Sequence, residues 1–454
     1  MLKPGAHIRD VALIDAGPRS LRKPFFPNLG IGYIATALEK EGMAVEVIDR
    51  EVAGDHGWAA FLERIPAVVG ITATSFTWDR VMISIADIKH RRPDTKIIVG
   101  GPHVSVSEAN TLDVPSIDYA VIGEGEEVMP QLTRLILDGA DTLDRLAEIP
   151  GLIYRDGNEV KMVEKAPWIR DLGALGRPAF HLFQMEAYEA YPLLTSRGCP
   201  YQCVFCSVPA VSGRPWRYRK ADELVDEIEW ALGKWNIPHR WFVIVDDTFN
   251  LKLQRVHEFC DLVTEKKLGI VWGIWGLRAD RAPRDLCEKM RKAGCLTVAI
   301  GIESADDDML LKIKKGESLA DLEQGIANLA GAGIEITGQF MIGNPGDTPE
   351  TIERSIDFAR RMPLATVEFY LARPYPKTEL WEFAKQNGRI IHADYTKFHH
   401  FSNTPVFDTP DFPAEERMRL YRKARRLVIQ RNTMTTLKRK ARMLRKRIFA
   451  EAAA

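Results

Sequence analysis

The chain lacks several features that mark common classes of protein. It has six cysteines, and none of them occurs among the first 198 residues. Secreted disulfide-stabilised proteins are usually shorter and spread their cysteines more evenly, so this class is disfavoured. No run of 18 apolar residues occurs, which argues against a membrane-spanning helix. The first residues also lack the apolar core of a signal peptide, and we therefore expect a cytoplasmic protein.

An excess of charge of one sign is also missing. Lys and Arg together number 62, as do Asp and Glu, and this balance excludes a uniformly basic nucleic-acid-binding protein. The C-terminal segment differs, because residues 415–454 contain 14 Lys and Arg against three Asp and Glu. Apolar residues recur there at loose helical spacing. The pattern indicates either a helix that packs over the preceding domain or one that binds an anionic membrane surface or an acidic partner.

Residues 1–145 alternate short apolar runs with amphipathic helical stretches. This alternation predicts a parallel, doubly wound α/β sheet of Rossmann type. Strands buried on both faces give continuous apolar runs, as Val68–Ala73 does. The other predicted strands are Val11–Asp15, Val45–Ile48, Lys96–Gly100 and Tyr119–Ile122.

Residues 146–190 interrupt the alternation and are predicted to form a linker. The segment opens with a hairpin that turns at Asp156-Gly157 and continues through several Pro and Gly residues. Alternation resumes over residues 191–385. Six strand–helix units fit there, which predicts a partial (β/α)6 barrel with its chemistry at the carboxyl ends of the strands. The predicted strands are Leu193–Ser196, Trp241–Val245, Ile270–Trp275, Thr297–Ile302, Glu335–Ile342 and Thr366–Leu371. Residues 386–454 are predicted to form a small, helical and basic C-terminal region.

Three of the six cysteines lie within eight residues, directly after the first predicted strand of this barrel. Cys199, Cys203 and Cys206 have the spacing C-x3-C-x2-C. Three thiolates on one loop can bind three irons of a four-iron cluster and leave the fourth iron open for a reaction. A structural zinc site is the alternative, but it needs a fourth nearby ligand, and no Cys or His follows before His239. The other cysteines fit buried apolar positions.

This cysteine loop, placed after the first strand of a six-unit barrel, resembles the radical S-adenosylmethionine (SAM) superfamily. The resemblance implies that Cys199, Cys203 and Cys206 hold a 4Fe-4S cluster whose open iron binds SAM. Reductive cleavage of SAM then gives a deoxyadenosyl radical that abstracts hydrogen from an unactivated substrate carbon. A low-potential electron donor such as flavodoxin or ferredoxin is implied as a partner.

Other motifs extend this resemblance in chain order. Phe205 corresponds to the aromatic residue beside the adenine of SAM. Glu303, in a Gly-Ile-Glu-Ser segment, corresponds to the residue that contacts the ribose of SAM. A carboxylate can accept hydrogen bonds from the ribose hydroxyls. Gly343 lies in a glycine-rich segment that resembles the one packing along the adenine. Arg278 is interpreted either as a ligand of the SAM carboxylate or as one half of an ion pair at the barrel rim.

The N-terminal domain lacks the G-x-G-x-x-G motif of dinucleotide-binding proteins, and no phosphate-binding P-loop occurs. It also has no cysteines, which disfavours the methylthiotransferase branch of the superfamily. Glycines, hydroxyls and carboxylates follow its strands instead, and the ordered set resembles the cobalamin-binding domain of cobalamin-dependent radical SAM enzymes. The resemblance implies cobalamin contacts at Asn28, Thr74, Ser75, Gly100, Gly101, Gly123, Glu124 and Glu126. Tight strand–helix turns are the alternative explanation of the glycines.

One departure from the cobalamin pattern concerns the lower axial ligand. The D-x-H-x-x-G motif that supplies a histidine is absent, because the first strand is followed by Asp15-Ala-Gly-Pro-Arg. We therefore predict that cobalamin binds without its own base and without a histidine ligand. His103 is kept as a remote candidate for that ligand.

The resemblance as a whole implies a cobalamin-dependent radical SAM enzyme, with methyl transfer from methylcobalamin to the substrate radical as the preferred activity. Cyclisation, dehydration or rearrangement without methyl transfer is the alternative, and a cobalamin or redox sensor is the non-enzyme alternative. The substrate class stays open between lipids, tetrapyrroles and natural-product intermediates. The predicted pocket lining is Trp275, Tyr370, Arg373, Tyr375 and residues 395–401.

Overall fold

The computed structural model describes residues 9–17, 24–392, 397–398 and 402–451, with side chains described as far as residue 439. The chain divides into two compact units. The first holds the described residues up to Pro200 together with Ser207–Val243 and residues 397–398. The second holds Tyr201–Cys206, residues 244–392 and residues 402–451. The division passes through the cysteine loop, which the predicted domain boundaries at residues 145, 190 and 385 did not anticipate.

A seven-stranded sheet forms the centre of the first unit. Its strands are β1 (Val11–Asp15), β2 (Val45–Asp49), β3 (Val68–Thr72), β4 (Lys96–Gly100), β5 (Tyr119–Val121), β6 (Leu152–Asp156) and β7 (Glu159–Met162). Their order is β2-β1-β3-β4-β5-β6-β7, with the first five parallel and the last two antiparallel. Each parallel strand lies within one residue of its predicted bounds. The predicted hairpin is β6–β7, but it extends this sheet and is not part of a linker.

Helices cover both faces of this sheet. They are α1 (Leu29–Lys40), α2 (Arg50–Leu62), α3 (Trp78–Arg91), α4 (Pro102–Ser107), α5 (Val128–Leu137) and α6 (Leu143–Leu146). On one face Ile14 is buried in a cluster with Phe61 of α2 and Ile85 of α3. On the other face Gly70 lies so close to Leu13 and to Met129 of α5 that a Cβ on it would be 2.8 and 3.1 Å from their side chains. The order β2-β1-β3 places a topological switch point between β1 and β3, where such sheets bind ligands.

The first unit continues with shorter elements around the start of the cysteine loop. These are β8 (Tyr191–Leu193), β9 (Ser196–Arg197), α7 (Val208–Val211), β10 (Arg217–Tyr218), α8 (Ala221–Lys234) and β11 (Trp241–Ile244). The strand predicted at Leu193–Ser196 is therefore interrupted and forms two short strands. β9, which precedes the cysteines, pairs with β10, which follows them, in an antiparallel ribbon.

Four parallel strands run through the second unit. They are β12 (Val271–Leu277), β13 (Cys295–Glu303), β14 (Glu335–Ile342) and β15 (Thr366–Leu371), paired in that order. The helices between and after them are α9 (Leu253–Glu265), α10 (Arg284–Lys292), α11 (Asp307–Lys312), α12 (Leu319–Gly331), α13 (Pro349–Arg361) and α14 (Glu379–Asn387). With β8 and β11, all six strands predicted for the barrel are present. The predicted β14 and β15 agree with the structure at both ends.

The second unit ends with a short hairpin and one long helix. The hairpin joins β16 (Arg389–Ile390) to β17 (Phe407–Asp408), and α15 spans Ala414–Glu451. Leu420, Ala424 and Val428 of α15 are buried, and Asn432 hydrogen-bonds both the amide and the carbonyl group of Val367. The first part of the basic segment therefore covers the edge of β15, as the packing interpretation predicted. Among the described residues, no helix is both long and apolar enough to cross a membrane.

Candidate active site and cofactor-binding residues

The three clustered cysteines differ from the other three in their exposure. Cys199, Cys203 and Cys206 are partly exposed, whereas Cys260, Cys287 and Cys295 are buried. Burial raises the pKa of Cys260 and of Cys287 to about 12, which keeps these thiols protonated and unreactive. The clustered thiols are therefore the ones that an incoming metal cluster can reach.

Tight backbone geometry shapes the start of the cysteine loop. Gly198 has φ +85°, and a Cβ on it would lie 2.3 Å from the carbonyl oxygen of Pro215, so only glycine fits there. The amide of Cys199 donates to the carbonyl of Gly213 at 3.1 Å. In the second unit the amide of Cys206 donates to the carbonyl of Cys203 at 3.1 Å.

Within the described residues, no three His, Cys, Asp or Glu side chains gather around one point that would suit a single metal ion. A structural zinc ion is held by four protein ligands around one point. A four-iron cluster has a different requirement, because each of its thiolates bonds a separate iron. Three thiolates on one loop fit the protein ligands of such a cluster.

Glu303 ends β13 beside a buried lysine. The glutamate has φ +65°, and its carboxylate lies over Gly301, where a Cβ would be 2.4 Å from Oε1. Lys315 Nζ lies 3.8 Å from Glu303 Oε1 and 3.5 Å from Glu317 Oε2. Burial disfavours the charge of Lys315, but Glu303, Glu317 and Cys203 outweigh it and raise the pKa of the ammonium group. A positive charge is thus held close to Cys203.

Arg278 is engaged by the protein itself. Its Nε donates to Asp280 at 3.0 Å, and Nη1 and Nη2 donate to the carbonyls of Lys315 and Gly316 at 3.0 and 2.8 Å. The guanidinium group also stacks over the ring of Tyr201, 3.5 Å from its centroid. Of the two predicted roles, the structure shows the ion pair with Asp280, and the contact with the SAM carboxylate stays a prediction.

Gly343 is also explained by contacts within the protein. It has φ +102°, and a Cβ on it would lie 2.8 Å from Nη1 of Arg417. The amides of Gly343 and Asn344 both donate to Asp347 Oδ2 at 2.8 Å. The close approach that requires this glycine is thus to Arg417, and its role beside the adenine stays a prediction.

Asn344, which the sequence did not single out, has an unusual environment. Its side chain is 3% exposed, and neither its amide nitrogen nor its amide oxygen has a hydrogen-bond partner among the described residues. A buried amide without partners costs about 1–3 kcal/mol per unsatisfied group, so such groups generally indicate a missing ligand or water. Asn344 lies in the segment that resembles the adenine-contacting one, and its unsatisfied atoms suit a bound nucleoside.

At the switch point of the first unit, the predicted polar side chains are already paired with neighbours. Asn28 Oδ1 accepts from the amide of Ile31, and Nδ2 donates to Asp15 at 3.0 Å. Asn28 is therefore the N-cap of α1. The hydroxyl of Thr74 lies 3.1 Å from that of Thr77. These contacts are those of a strand–helix turn, so the side chains serve first to shape this edge of the sheet.

Ser75 and His103 form a hydrogen-bonded pair, with Oγ and Nδ1 3.2 Å apart. His103 is 2% exposed and packs against Trp78, with ring centroids 4.2 Å apart. Burial lowers the pKa of His103 to about 4 and keeps the ring neutral. This position disfavours His103 as an axial ligand.

The two glycines that precede His103 differ from each other. Gly101 has φ +99° and lies so close to β3 that a Cβ would be 2.8 Å from the carbonyl oxygen of Ala73. Gly100 has no contact of this kind. The alternative of a tight turn therefore explains Gly101 and leaves Gly100 without a steric requirement.

The carboxylates of Glu124 and Glu126 face arginines. Glu124 accepts from Arg197 at 2.9 Å and from Arg217 at 2.8 Å, and Glu126 accepts from Arg197 at 2.5 Å. All four side chains are at least 88% buried. Both carboxylates thus belong to an internal ion network, and the contact of these two glutamates with cobalamin stays a prediction. Gly123, with φ +77°, forms the turn just before them.

One face of the second sheet is polar and only partly buried. Gln339 and Glu368 are paired across β14 and β15, and Gln339 Nε2 donates to Glu368 Oε2 at 3.1 Å. The hydroxyl of Tyr370 donates to the same oxygen. Glu368 forms no ion pair with a described Lys, Arg or His. Tyr370 was predicted as pocket lining, whereas Gln339 and Glu368 were missed because alternation in a strand does not reveal which face is open.

The other predicted lining residues have mixed outcomes. Trp275 is 52% exposed at a register shift of β12. Arg373 is buried and donates to the carbonyls of Ser402 and Thr404 at 2.6 Å. Burial raises the pKa of Tyr375. Residues 395–401 lie outside the described part of the chain, except for 397–398.

Comparisons with known proteins match both halves of this chain. The family model of the radical SAM superfamily matches residues 193–359, and the model of the B12-binding domain matches residues 22–133. An uncharacterised methyltransferase of Pyrococcus horikoshii is 30% identical over 408 residues, which cover 88% of this chain and 86% of that protein. An anaerobic magnesium-protoporphyrin IX monomethyl ester cyclase of Rubrivivax gelatinosus is 27% identical, covering 84% of this chain and 70% of the cyclase.

Two solved structures share the fold. One is the radical SAM methyltransferase TsrM of Kitasatospora setae, with cobalamin and a 4Fe-4S cluster bound. It matches with a TM-score of 0.70 at 22% sequence identity, and the match covers 83% of this chain and 74% of the TsrM chain. The other is the cobalamin-dependent radical SAM enzyme OxsB, with a TM-score of 0.67 at 19% sequence identity. The match covers 92% of this chain and 62% of the OxsB chain. The predicted fold class, a Rossmann-like domain followed by a partial barrel and a helical C-terminal region, is confirmed.

Proposed function

This chain belongs to the radical SAM superfamily, in the branch that carries a B12-binding domain, and we propose that it transfers a methyl group to a carbon of its substrate. It is an enzyme that uses a 4Fe-4S cluster, SAM and cobalamin, and it acts on a small molecule. The proposal concerns the step after radical formation, for which the similarity to named methyltransferases is the main support.

The observation that carries the radical step is the contrast between the two sets of cysteines. We propose that the partly exposed Cys199, Cys203 and Cys206 are the three protein ligands of the cluster. When bound, the cluster supplies the electron that cleaves SAM. The ammonium group of Lys315 offsets negative charge beside Cys203. The three buried cysteines have no part in the reaction.

For SAM, we propose that Glu303 accepts hydrogen bonds from the ribose hydroxyls and that Phe205 lies beside the adenine. Lys315 keeps the Glu303 carboxylate over Gly301, which orients it. Asn344 offers one donor group and one acceptor that no described residue satisfies, and both suit a nucleobase edge. Arg278 instead stabilises the segment that carries Lys315.

For cobalamin, we propose that the switch point contributes mainly backbone and hydroxyl contacts. Gly100 ends β4, Gly123 follows the neighbouring strand β5, and Thr74 follows β3 on the other side of β4. Ser75 is hydrogen-bonded to Nδ1 of His103, and this ring is buried, which supports a structural role for the imidazole at that edge. We therefore keep the proposal of a cofactor without a histidine ligand. Nitrogen hyperfine coupling in the electron paramagnetic resonance (EPR) spectrum of the cob(II)alamin form would contradict it.

For the substrate, we propose the polar face formed by Gln339, Glu368 and Tyr370 as part of the binding surface. Glu368 Oε2 accepts two hydrogen bonds, and no described residue bonds to Oε1. A carboxylate oxygen without a partner on an open sheet face favours a substrate that donates a hydrogen bond, such as an alcohol or an amine. Trp275 offers an exposed ring for the apolar part of such a molecule.

Cyclisation without methyl transfer is the second candidate, because the chain is similar to an anaerobic cyclase over most of its length. The stoichiometry of the reaction separates the two. Methyl transfer consumes two molecules of SAM and gives both 5′-deoxyadenosine and S-adenosylhomocysteine, whereas cyclisation gives no homocysteine product. Liquid chromatography of an anaerobic reaction measures both. Deoxyadenosine formed without S-adenosylhomocysteine would reject methyl transfer and leave the radical step intact.

Further partners follow from this chemistry. A low-potential donor such as flavodoxin or ferredoxin is proposed to reduce the cluster. Thiolate ligands and a reduced cluster suit a reducing compartment, for which we propose the cytoplasm. Exposed cations on α15, including Arg422, Arg426 and Lys438, are proposed to contact an anionic membrane surface.

A further inference from the structure

Glu124 is the centre of a buried ion network in the first unit. Its Oε1 accepts from Nη1 of Arg197 and of Arg217, and its Oε2 accepts from Arg217 and from the amide of Ile169 at 2.8 Å. Glu126 adds a second carboxylate on Arg197. The side chains of Arg197, Glu124 and Glu126 are all largely buried. The two acids and two bases thus compensate one another away from water.

Both arginines lie at the base of the cysteine loop. Arg197 and Arg217 are partners in the β9–β10 ribbon, and Cys199 follows Arg197 by two residues. Arg217 also donates to the carbonyl of Ser212 at 2.6 Å, one residue before Gly213, which accepts from the amide of Cys199. A shift of the Glu124 carboxylate therefore moves the ribbon that holds Cys199.

Side-chain packing also connects the Gly123 turn with the backbone around Cys199. A Cβ on Gly123 would lie 2.8 Å from Cε of Lys165, whose ammonium group is 3.1 Å from the ring centroid of Trp168. The indole of Trp168 in turn lies against Gly213, where a Cβ would be 2.4 Å from its Nε1. No added side chain fits at either glycine without displacing this row. The turn at Gly123 and the backbone around Cys199 are therefore in continuous contact.

The other side of Glu124 is the predicted cobalamin-binding edge. Gly123 precedes it directly, and the amide of Gly123 donates to Ser105 Oγ at 3.0 Å on the helix that follows Gly101. A ligand at this edge acts on the turn that carries Glu124, because the turn is short and bonded on both sides. The Gly123 turn and Cys199 thus lie at opposite ends of one network within the first unit.

We infer that Glu124 is a positioning residue that couples cobalamin binding at the Gly123 turn to the placement of Cys199, so that the two cofactors bind with linked affinities. The inference rests on the proposed function for the places where the two cofactors bind. Coupling between two sites is reciprocal, so it can be measured from the cobalamin side alone.

The experiment measures the dissociation constant of hydroxocobalamin by absorbance titration of the full-length protein, before and after anaerobic reconstitution of the cluster. In the unaltered protein the reconstituted form is expected to bind at least about five-fold more tightly, the lower end of ordinary couplings. Glu124→Gln is expected to bring the ratio of the two constants close to one, with binding to the cluster-free protein changed less than about three-fold. A role confined to folding would weaken both constants and preserve their ratio.

Glu159→Gln is the matched control, because it makes the same chemical change in an exposed ion pair, with Lys161 of the same sheet, and is expected to keep the ratio. Glu126→Gln removes only one contact to Arg197 and is expected to give an intermediate ratio, which tests the inference if Glu124→Gln does not fold. A ratio near one in the unaltered protein, or an unchanged ratio in both variants, would overturn the inference. No binding of hydroxocobalamin at all would instead reject the cofactor site of the proposed function.

Discussion

The ammonium group of Lys315 lies 3.8 Å from the carboxylate of Glu303, and the carboxylate of Glu317 lies 3.5 Å from the same nitrogen. Both glutamates thus share one buried cation, beside the cysteine loop. Removal of one partner from such a buried group leaves an uncompensated charge, which is far more costly than loss of a surface pair.

Lys315→Met is therefore expected to weaken SAM binding by about ten-fold, or about 1.4 kcal/mol, because Glu303 loses the charge that orients it. Isothermal titration of SAM into the reconstituted protein measures this effect. Lys315→Arg retains the charge and is expected to restore most of the affinity. An unchanged dissociation constant in the Met variant, with full cluster content, would contradict the role of Lys315.

Cys203→Ala is expected to abolish cluster assembly, because two thiolates cannot replace the three-ligand set. Cys260→Ala is the matched control, since that thiol is buried and its pKa is raised to about 12 by burial. Iron content and the absorbance of the cluster after anaerobic reconstitution distinguish the two variants. A normal cluster in Cys203→Ala, or a lost cluster in correctly folded Cys260→Ala, would argue against the assigned ligands.

Glu368→Gln is expected to reduce product formation by at least ten-fold, because an amide is a weaker acceptor than a carboxylate for a donor on the substrate. Substrate-free cleavage of SAM to 5′-deoxyadenosine, assayed with dithionite, is expected to stay within about two-fold of the unaltered enzyme. Thr366→Val, on the same sheet face but paired with Thr337, is the control. Equal loss of both reactions would place Glu368 in SAM binding and not in substrate binding.

Asp347 gives a prediction about pH. Burial raises its pKa to about 6 from the ordinary value of 3.8, although two backbone amides bond to it. Between these two pH values the folded state binds more protons than the unfolded state, so the contribution of Asp347 to stability falls as pH rises through this window and is constant above it. The corresponding change is on the order of 3 kcal/mol.

Asp347→Asn removes this titration, so its stability relative to the unaltered protein is expected to be greater at pH 7 than at pH 4. Chemical denaturation at several pH values measures the difference. Asp321→Asn is the control, because hydrogen bonds from Ser318 lower the pKa of this exposed carboxyl. Its stability relative to the unaltered protein is therefore expected to change with pH in the opposite direction. A difference for Asp347→Asn that does not vary between pH 4 and pH 7 would contradict the buried state of Asp347.

The proposed membrane contact of α15 is tested by substitutions and not by truncation, because this helix stabilises the fold. Asn432 bonds to β15, and Arg431 bonds to the loop before it. Joint replacement of Arg422, Arg426 and Lys438 by Gln is expected to reduce flotation with anionic liposomes at least five-fold. Lys423→Gln is the control, since Lys423 is paired with Glu353. No flotation of the unaltered chain would remove the membrane proposal.

Patterns among neighbouring residues already specified much of this protein. Short apolar runs between amphipathic stretches located the strands, because strands buried on both faces consist of apolar residues. The spacing of Cys199, Cys203 and Cys206 indicated the proposed cluster loop, since ligands on one loop are close in the chain as well as in space. The family resemblance that these motifs carry then led to the fold class and the set of cofactors.

The partners of individual polar residues were decided only by the packing of distant segments. The sequence did not show that Arg197 and Arg217, 73 and 93 residues further along, bond to the carboxylate of Glu124. Gly343 likewise meets Arg417. The sequence by itself determines the charge of each side chain. The group that compensates this charge depends on which segments the fold brings together, because a buried charge without a partner is costly.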